Sequence, residues 1–314
     1  MVRAVDWASR YAVYAFIAIV LVVAGIVARN MFSTGNLSTI AIQAATLGVV
    51  TLGQMLVLLV RGIDLSVGAV MAIGAILVVE TQAGRSIGLA FLLALALALA
   101  IGLVNGLLVA KRKVPSFVAT LGMLILVEGA RLAYTKGQAS GLVPDILGIF
   151  NTGRIGFLPL GAIGWIALSI LAALVLQRTR LGRMIYATGS NPQAARLAGV
   201  PTDRIVIAMF VASSVLALFA GLLLSGYIGY VDQHLAAGYN LNSITAAVIG
   251  GTSFAGGRGT VSGTMAGVVL VTIIVSVVVA AGLPVELQFV LQGLVLIAAV
   301  VLQGLRTRIV ERSV

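Results

Sequence analysis

The run from Phe91 to Ala110 reads FLLALALALAIGLVNGLLVA, and nothing in it alternates between apolar and polar residues. Backbone placed in lipid must satisfy its own hydrogen bonds, which leaves only helices and closed barrels. A barrel strand would show about ten residues of alternating character. The continuous run therefore specifies a spanning helix, which needs roughly 20 residues. Such runs recur along the whole chain, at 11–29, 40–60, 65–82, 88–110, 115–135, 160–177, 205–226, 240–253, 261–281 and 284–303. The fold class expected is an all-α polytopic membrane protein of about ten transmembrane helices, some broken or re-entrant.

Composition agrees. Apolar residues make up 61% of the 314 and charged residues 9%, against roughly 45–50% and 25% in a soluble domain. No linker or low-complexity tract divides the chain, so residues 1–314 are expected to form a single transmembrane domain. The net charge of +11 does not point to nucleic acid, because the basic residues sit between apolar runs and not on one soluble face. Arg3 and Arg10 before an apolar run resemble a signal peptide. The run at 11–28 is long for one, however, and no small-residue cleavage site follows, so an uncleaved first span is expected.

Charge fixes the expected orientation. With ten spans and a cytoplasmic start, the inner segments hold Arg3, Arg10, Arg61, Lys111, Arg112, Lys113, Arg178, Arg180, Arg183, Arg196, Arg204, Arg258, Arg306, Arg308 and Arg312. The outer side keeps Arg29, Arg85, Arg131, Lys136 and Arg154. This is the bias of the positive-inside rule, and it places both termini in the cytoplasm. Residues 136–159, with Gly, Pro and mixed apolar residues, are expected outside as a re-entrant or surface-lying loop. NLSTI at 36–40 and NLNSI at 240–244 each precede an apolar stretch and a glycine-rich break, RGIDLSVG and GGRGTVSG. Five spans between them would give two inverted repeats.

Few residues can carry chemistry. Cysteine is absent and His234 is the only histidine, which excludes most histidine metal sites and hydrolytic triads. No phosphate-binding P-loop is present, so the chain does not itself use ATP, and no cofactor or metal is implied. Asp64 lies within an apolar stretch, where an ionisable residue is a functional hypothesis by default. It also precedes a helical run, where its carboxylate can cap the amides of Ser66 and Val67, with Arg61 balancing its charge. Glu128 and Arg131 are spaced for an internal ion pair. Asn105, Gln54, Gln288 and Gln292 are interhelical hydrogen-bonders that can also face a polar ligand. Most of the 37 glycines read as close helix packing. The crowd at 250–263 reads as broken backbone.

The inner loop 178–204 contains a short helix marked at both ends. Asn191 or Ser190 suits the N-cap, Pro192 the first turn and Gly199 the stop. So short a helix is marginal alone, and Ala194, Ala195 and Ala198 leave room for a packing partner.

Four segments, TLGQMLVLLVRGIDLSVGAVMA at 51–72, VPSFVATLGM at 114–123, LGRMIYATGSNPQAARLAGV at 181–200 and AAVIGGTSFAGGRGTVSGTMAG at 246–267, occur in one order over nearly the whole chain. In these the chain resembles the permease subunits of bacterial ABC importers for monosaccharides, the ribose-type family. The resemblance implies a transport subunit and not an enzyme. Its partners would be a cytoplasmic ABC ATPase, a periplasmic sugar-binding protein and a second copy or paralogue of the permease in the inner membrane. It further implies that Gly189, Asn191, Ala194, Ala195 and Gly199 couple to the ATPase. Asp64, Ser66, Asn105 and Gln288 are the candidates for the translocation path or its core. Branched-chain amino-acid permeases are more distant relatives. An ion-coupled carrier would need paired intramembrane carboxylates or a histidine relay, and Asp64 and Glu128 are a thin set for that.

Overall fold

The computed structural model describes residues 31–282 apart from 83–85, 139–140 and 233, with isolated positions on either side. The runs expected to span at 11–29 and 284–303, and with them Gln288 and Gln292, lie outside the described residues.

In chain order the helices are α1 (Thr34–Leu59), α2 (Val67–Gln82), α3 (Ile87–Ala110), α4 (Ser116–Thr135), α5 (Asp145–Thr152), α6 (Leu160–Arg178), α7 (Arg180–Ser190), α8 (Pro192–Leu197), α9 (Thr202–Ile228), α10 (Tyr239–Ile249) and α11 (Val261–Ala280). Six of them, α1, α3, α4, α6, α9 and α11, are long and apolar enough to cross a membrane. Side chains begin several of these helices. Ser33, Ser86, Thr179 and Thr260 each accept a hydrogen bond from a first-turn amide. Such caps contribute about 1 kcal/mol each. The Ser33 cap starts α1 six residues before the apolar run that predicted it.

Burial separates inner from outer helices. In α1 every residue from Ala44 to Leu59 is buried except Leu56. In α2 Val67–Val79 are likewise buried save Leu77. Both are apolar all round, the pattern of a helix with no outer face. By contrast α3, α4 and α6 expose Leu92, Leu99, Leu103, Val118, Ile125, Leu126, Ile170 and Leu171. A contiguous apolar exterior of this extent is stable in lipid and not in water.

The centre is α9, and glycine sets how closely its neighbours approach. A Cβ on Gly53 of α1 would sit 2.9 Å from the Ser213 Cα. A Cβ on Gly102 or Gly106 of α3 would sit 2.7 Å from the Val211 Cα or 2.8 Å from the Ile207 Cα. In return Gly221 of α9 lies directly against the Met71 backbone of α2. Water exclusion does not drive helices together in lipid, so these backbone-to-backbone contacts are where packing attraction is gained.

Two helices that the sequence read as spans are too short to cross by themselves. At 1.5 Å per residue, α2 with 16 residues and α10 with 11 span about 24 and 16 Å of a ~30 Å hydrocarbon core. Each follows non-helical chain, residues 60–66 before α2 and 234–238 before α10. The sequence expected α10 to continue to residue 253. It stops at Ile249 because Gly250 and Gly251 take up the last carbonyls, with Gly251 at φ +90. The run expected at 65–82 is a helix from Val67 to Gln82, two residues shorter at its start.

The loop 136–159, expected as re-entrant or surface-lying, has regular structure of its own. It contains α5, which lies against α9, and two short antiparallel pairings, β1 (Gly141–Leu142) with β4 (Tyr230–Val231) and β2 (Arg154–Ile155) with β3 (Leu158–Pro159). These small sheets depart from the all-α expectation. They give loop amides and carbonyls the partners that lipid would not supply. The two sequence matches at 36–40 and 240–244 both fall in helix starts. The long helix precedes the break in the first case and follows it in the second.

Candidate functional site

Three features make up the candidate site, and the first two touch α9. The first is the end of the molecule formed by α7 and α8. Asn191 closes α7 and starts α8, its side chain accepting from Gln193 N (3.1 Å) and Ala194 N (3.0 Å). Pro192 takes the first helical position and Gly199, at φ +80, ends the turn. Arg196, Lys111 and Lys113 gather on the Asp203 carboxylate. These exposed pairs give well under 1 kcal/mol each, but together they hold α8 beside α9. The side chains of α8 do not all point as the sequence suggested. Ala194 is exposed, whereas Ala195 is 5% exposed and packs within this chain. Leu197, a residue the sequence reading passed over, is 92% exposed. Gly189 does not face outward either: a Cβ there would overlap the Leu59 carbonyl oxygen.

The second feature ties that end to the broken element. Gly257 N donates to Leu59 O (2.9 Å), and Tyr186 Oη donates to Gly259 O (2.8 Å). Burial pushes the Tyr186 phenol above its ordinary value, so it remains a donor. Arg61 donates from Nε to Gly189 O and from a terminal nitrogen to Ser190 O (2.7 Å). It thus caps the negative end of α7. It does not balance Asp64, as its spacing suggested; its φ of +66 turns it away toward α7. That conformation costs about 1–2 kcal/mol for a residue with a side chain.

Above Arg61 the extended segment 62–66 is held on every side. Ile63 N donates to Ser116 Oγ, and Thr120 Oγ1 accepts from Leu65 N, each at 3.1 Å. Asp64 is fully buried. Its Oδ1 accepts from Ser66 N (3.0 Å) and Ser66 Oγ (2.6 Å), and its Oδ2 from Ser213 Oγ of α9 (3.0 Å). Asn105 Nδ2 of α3 donates to Ser66 Oγ (3.0 Å). In the orientation that pairs both its polar atoms, the Gln54 amide of α1 donates to Asp64 O (2.9 Å) and accepts from Asp64 N (3.2 Å). Three of the four predicted path residues, Asp64, Ser66 and Asn105, therefore form one network. All three are sealed from solvent in this conformation. The expected cap to Ser66 is present, and Ser213 is a partner the sequence reading missed.

The third feature lies where the two short helices begin. Gly68 of α2 faces Ala236 O at 3.2 Å, measured from the position of an added Cβ. Beside it is a cavity of about 270 Å³ lined by Gly68, Ala69, Leu124, Glu128, Arg131, the loop His234–Gly238 and Asn240. Ligand sites begin near 300 Å³. The starts of α2 and α10 both border it, and helix starts carry free amide donors and positive dipole ends. Arg131 Nε donates to Glu128 Oε2 at 2.9 Å, the ion pair expected from their spacing. Two short helices starting at a shared polar cavity is the arrangement by which transporters recognise a solute inside a bundle. Nothing in the sequence marked 234–238 as its lining, because those residues become a wall only when α10 meets α2.

Comparison with known proteins matches this arrangement to a family. The model of the branched-chain amino acid transport system / permease component family matches residues 36–300. The autoinducer 2 import system permease protein LsrC of Yersinia enterocolitica is 35% identical over 294 residues, covering 92% of this chain and 81% of that protein. LsrC of Photorhabdus laumondii is 33% identical over 292 residues, covering 92% and 87%. No solved structure matches. On this evidence the chain belongs to the family of ABC-importer permeases, transport subunits and not enzymes.

Proposed function

We propose that this chain forms the membrane path of an ATP-driven importer for a small, neutral, hydroxyl-rich solute, a pentose- or hexose-like monosaccharide or a sugar-derived compound. The LsrC relatives are named for autoinducer 2. The observation that carries the substrate class is the cavity at the starts of α2 and α10. Glu128 and Arg131 spend their charges on each other, leaving backbone polar groups and the Asn240 side chain around the space. Sugar hydroxyls both donate and accept, and meet such a lining well. A free amino acid, the substrate class named by the family model, would require separated sites for its carboxylate and ammonium. A nucleoside is the second reading, tested by adding a labelled nucleoside to the uptake assay below. Crossing lipid without such a path would cost a sugar several kcal/mol per unsatisfied hydroxyl.

In this reading the chain is one transmembrane unit in the bacterial inner membrane, with ten spans, inverted repeats and both termini cytoplasmic. The α7–α8 end, with Gly189, Asn191, Ala194, Ala195 and Gly199, faces an ABC ATPase. A periplasmic binding protein delivers the solute to the opposite end, and a second copy or paralogue completes the pore. The ion-coupled alternative is disfavoured by the pairing of Glu128 with Arg131 and the sealing of Asp64, which leave no free carboxylate along the cavity among the described residues.

The test is reconstitution with the cognate ATPase and binding protein in vesicles. Uptake of labelled ribose-type sugars or autoinducer 2 should require ATP hydrolysis and be insensitive to collapse of ion gradients. Uptake of leucine, or uptake that persists without nucleotide, would refute the proposal.

A further inference from the structure

Arg61 is a positively charged residue that pairs with no carboxylate among the described residues. It holds a left-handed backbone where glycine or asparagine would sit without strain. Strain kept at a junction between moving parts points to a side chain retained for its contacts. Those contacts are the last two carbonyls of α7, Gly189 O and Ser190 O, immediately before Asn191 starts α8. Gly256 packs on the aliphatic stem of Arg61, leaving no slack there.

On its other side Arg61 is continuous with the extended segment 62–66. That segment is fastened to α4 by Ile63 and Leu65, to α9 by Asp64 and to α3 through Ser66. It runs directly into the first turn of α2, whose Gly68 and Ala69 line the cavity. One guanidinium thus joins the exposed α7–α8 end to the start of a helix that walls the cavity. No other arginine or lysine described here donates to the end of α7.

We infer that Arg61 is a positioning residue that transmits displacement of α7–α8 to the start of α2, so that movement at the exposed end changes the cavity between α2 and α10. The fork of the guanidinium matters, because it holds two carbonyls at once. A lysine keeps the charge but not the two-point geometry. The inference rests on the reading of the chain as an ATP-driven permease.

The test uses the complete importer, permease with ATPase and binding protein, in vesicles. Arg61→Gly removes the side chain while relieving the left-handed backbone, which offsets part of the cost of the two lost carbonyl bonds. Arg61→Lys is the conservative variant. Four readouts are taken: co-purification of the ATPase, basal ATP hydrolysis, its stimulation by loaded binding protein, and solute moved per ATP hydrolysed. For Arg61→Gly, co-purification and basal hydrolysis should match wild type. Solute moved per ATP should fall about tenfold, within the usual range of coupling factors, and stimulation should be lost. Arg61→Lys should fall between. Transport per ATP within about twofold of wild type in Arg61→Gly, short of the roughly 5-fold at which typical couplings begin, would overturn the inference. Loss of the ATPase subunit from Arg61→Gly would also overturn it, by making Arg61 a docking contact. A wild-type complex that fails to couple ATP to uptake would overturn the permease reading, and this inference with it.

Discussion

Asp64 separates a structural role from a chemical one more sharply than any other residue. Its carboxylate receives three hydrogen bonds, two from Ser66 and one from Ser213, while buried among α1, α3 and α9. Asp64→Asn keeps one oxygen, which can still accept both bonds from Ser66. The new amide nitrogen faces Ser213, whose hydroxyl turns from donor to acceptor. No bond is lost, but the bonds weaken from charge-assisted, roughly 1.5–3 kcal/mol each, to neutral, roughly 0.5–1.5. Against that, a buried carboxylate costs several kcal/mol to desolvate and a neutral amide much less. The two changes oppose each other, so the Asn variant should accumulate and unfold close to wild type. Asp64→Leu leaves the Ser66 N–H, the Ser66 hydroxyl and the Ser213 hydroxyl without this acceptor, at about 1–3 kcal/mol each. A loss of about 3–9 kcal/mol consumes much of a stability of only about 5–15 kcal/mol. Thermal unfolding in detergent and protein level in the membrane measure this directly, with uptake as the second readout. Asn should retain most transport, and Leu should lose protein and transport together. An Asn variant at normal level that moves no solute would refute the reasoning, because the charge itself would then act in transport.

Leu197→Ser should leave insertion and folding unchanged, since the side chain touches almost nothing in this chain, yet weaken co-purification of the ATPase by several-fold if α8 docks it. Ala195→Trp should instead destabilise the permease itself by about 1–3 kcal/mol through overpacking, read as reduced protein level, because Ala195 is buried here. Gly221→Ala should separate α2 from α9, since its Cβ meets the Met71 backbone, and lower the unfolding temperature; a change within error would refute the close packing. Reporter fusions after Gly156 should read as periplasmic and those after Lys113 and Arg306 as cytoplasmic, and an opposite result at Arg306 would remove a span.

How far the sequence reveals this molecule depends on the range over which its signals act. Hydropathy is local, and it placed α3, α4, α6 and α11 within a residue or two of their observed ends. Capping is local too, so Asn191, Pro192 and Gly199 were legible as a short helix from spacing alone. Asp64 with Ser66 lies two residues apart and was read correctly as a cap. Arg61 was misread because the sequence presents its nearest charge, Asp64, and not its nearest carbonyls, which lie 128 and 129 residues away. Ser213 joins Asp64 across 149 residues, and no residue pattern marks one serine among many on an apolar helix. The facing of α8 was invisible for a related reason. A six-residue helix gives too few turns for periodicity to say that Ala195 turns inward and Leu197 outward.

The packing also constrains how such a chain can move. At Gly53, Gly102, Gly106 and Gly221 helices meet backbone to backbone, and a contact of that closeness does not slide without separating the helices altogether. The bundle of α1, α2, α3 and α9 is thus suited to rotating as a body. What can change without breaking it is non-helical: residues 60–66 and 234–238, which side-chain and turn hydrogen bonds hold in place of a helical ladder. Both segments lead into helices that start at the cavity, and one of them is fastened to α7 through Arg61. Motion arriving at the α7–α8 end therefore reaches the cavity by way of the least helical part of the protein. A transport cycle on this architecture needs only a small change in those two segments, with the packed helices carried along intact.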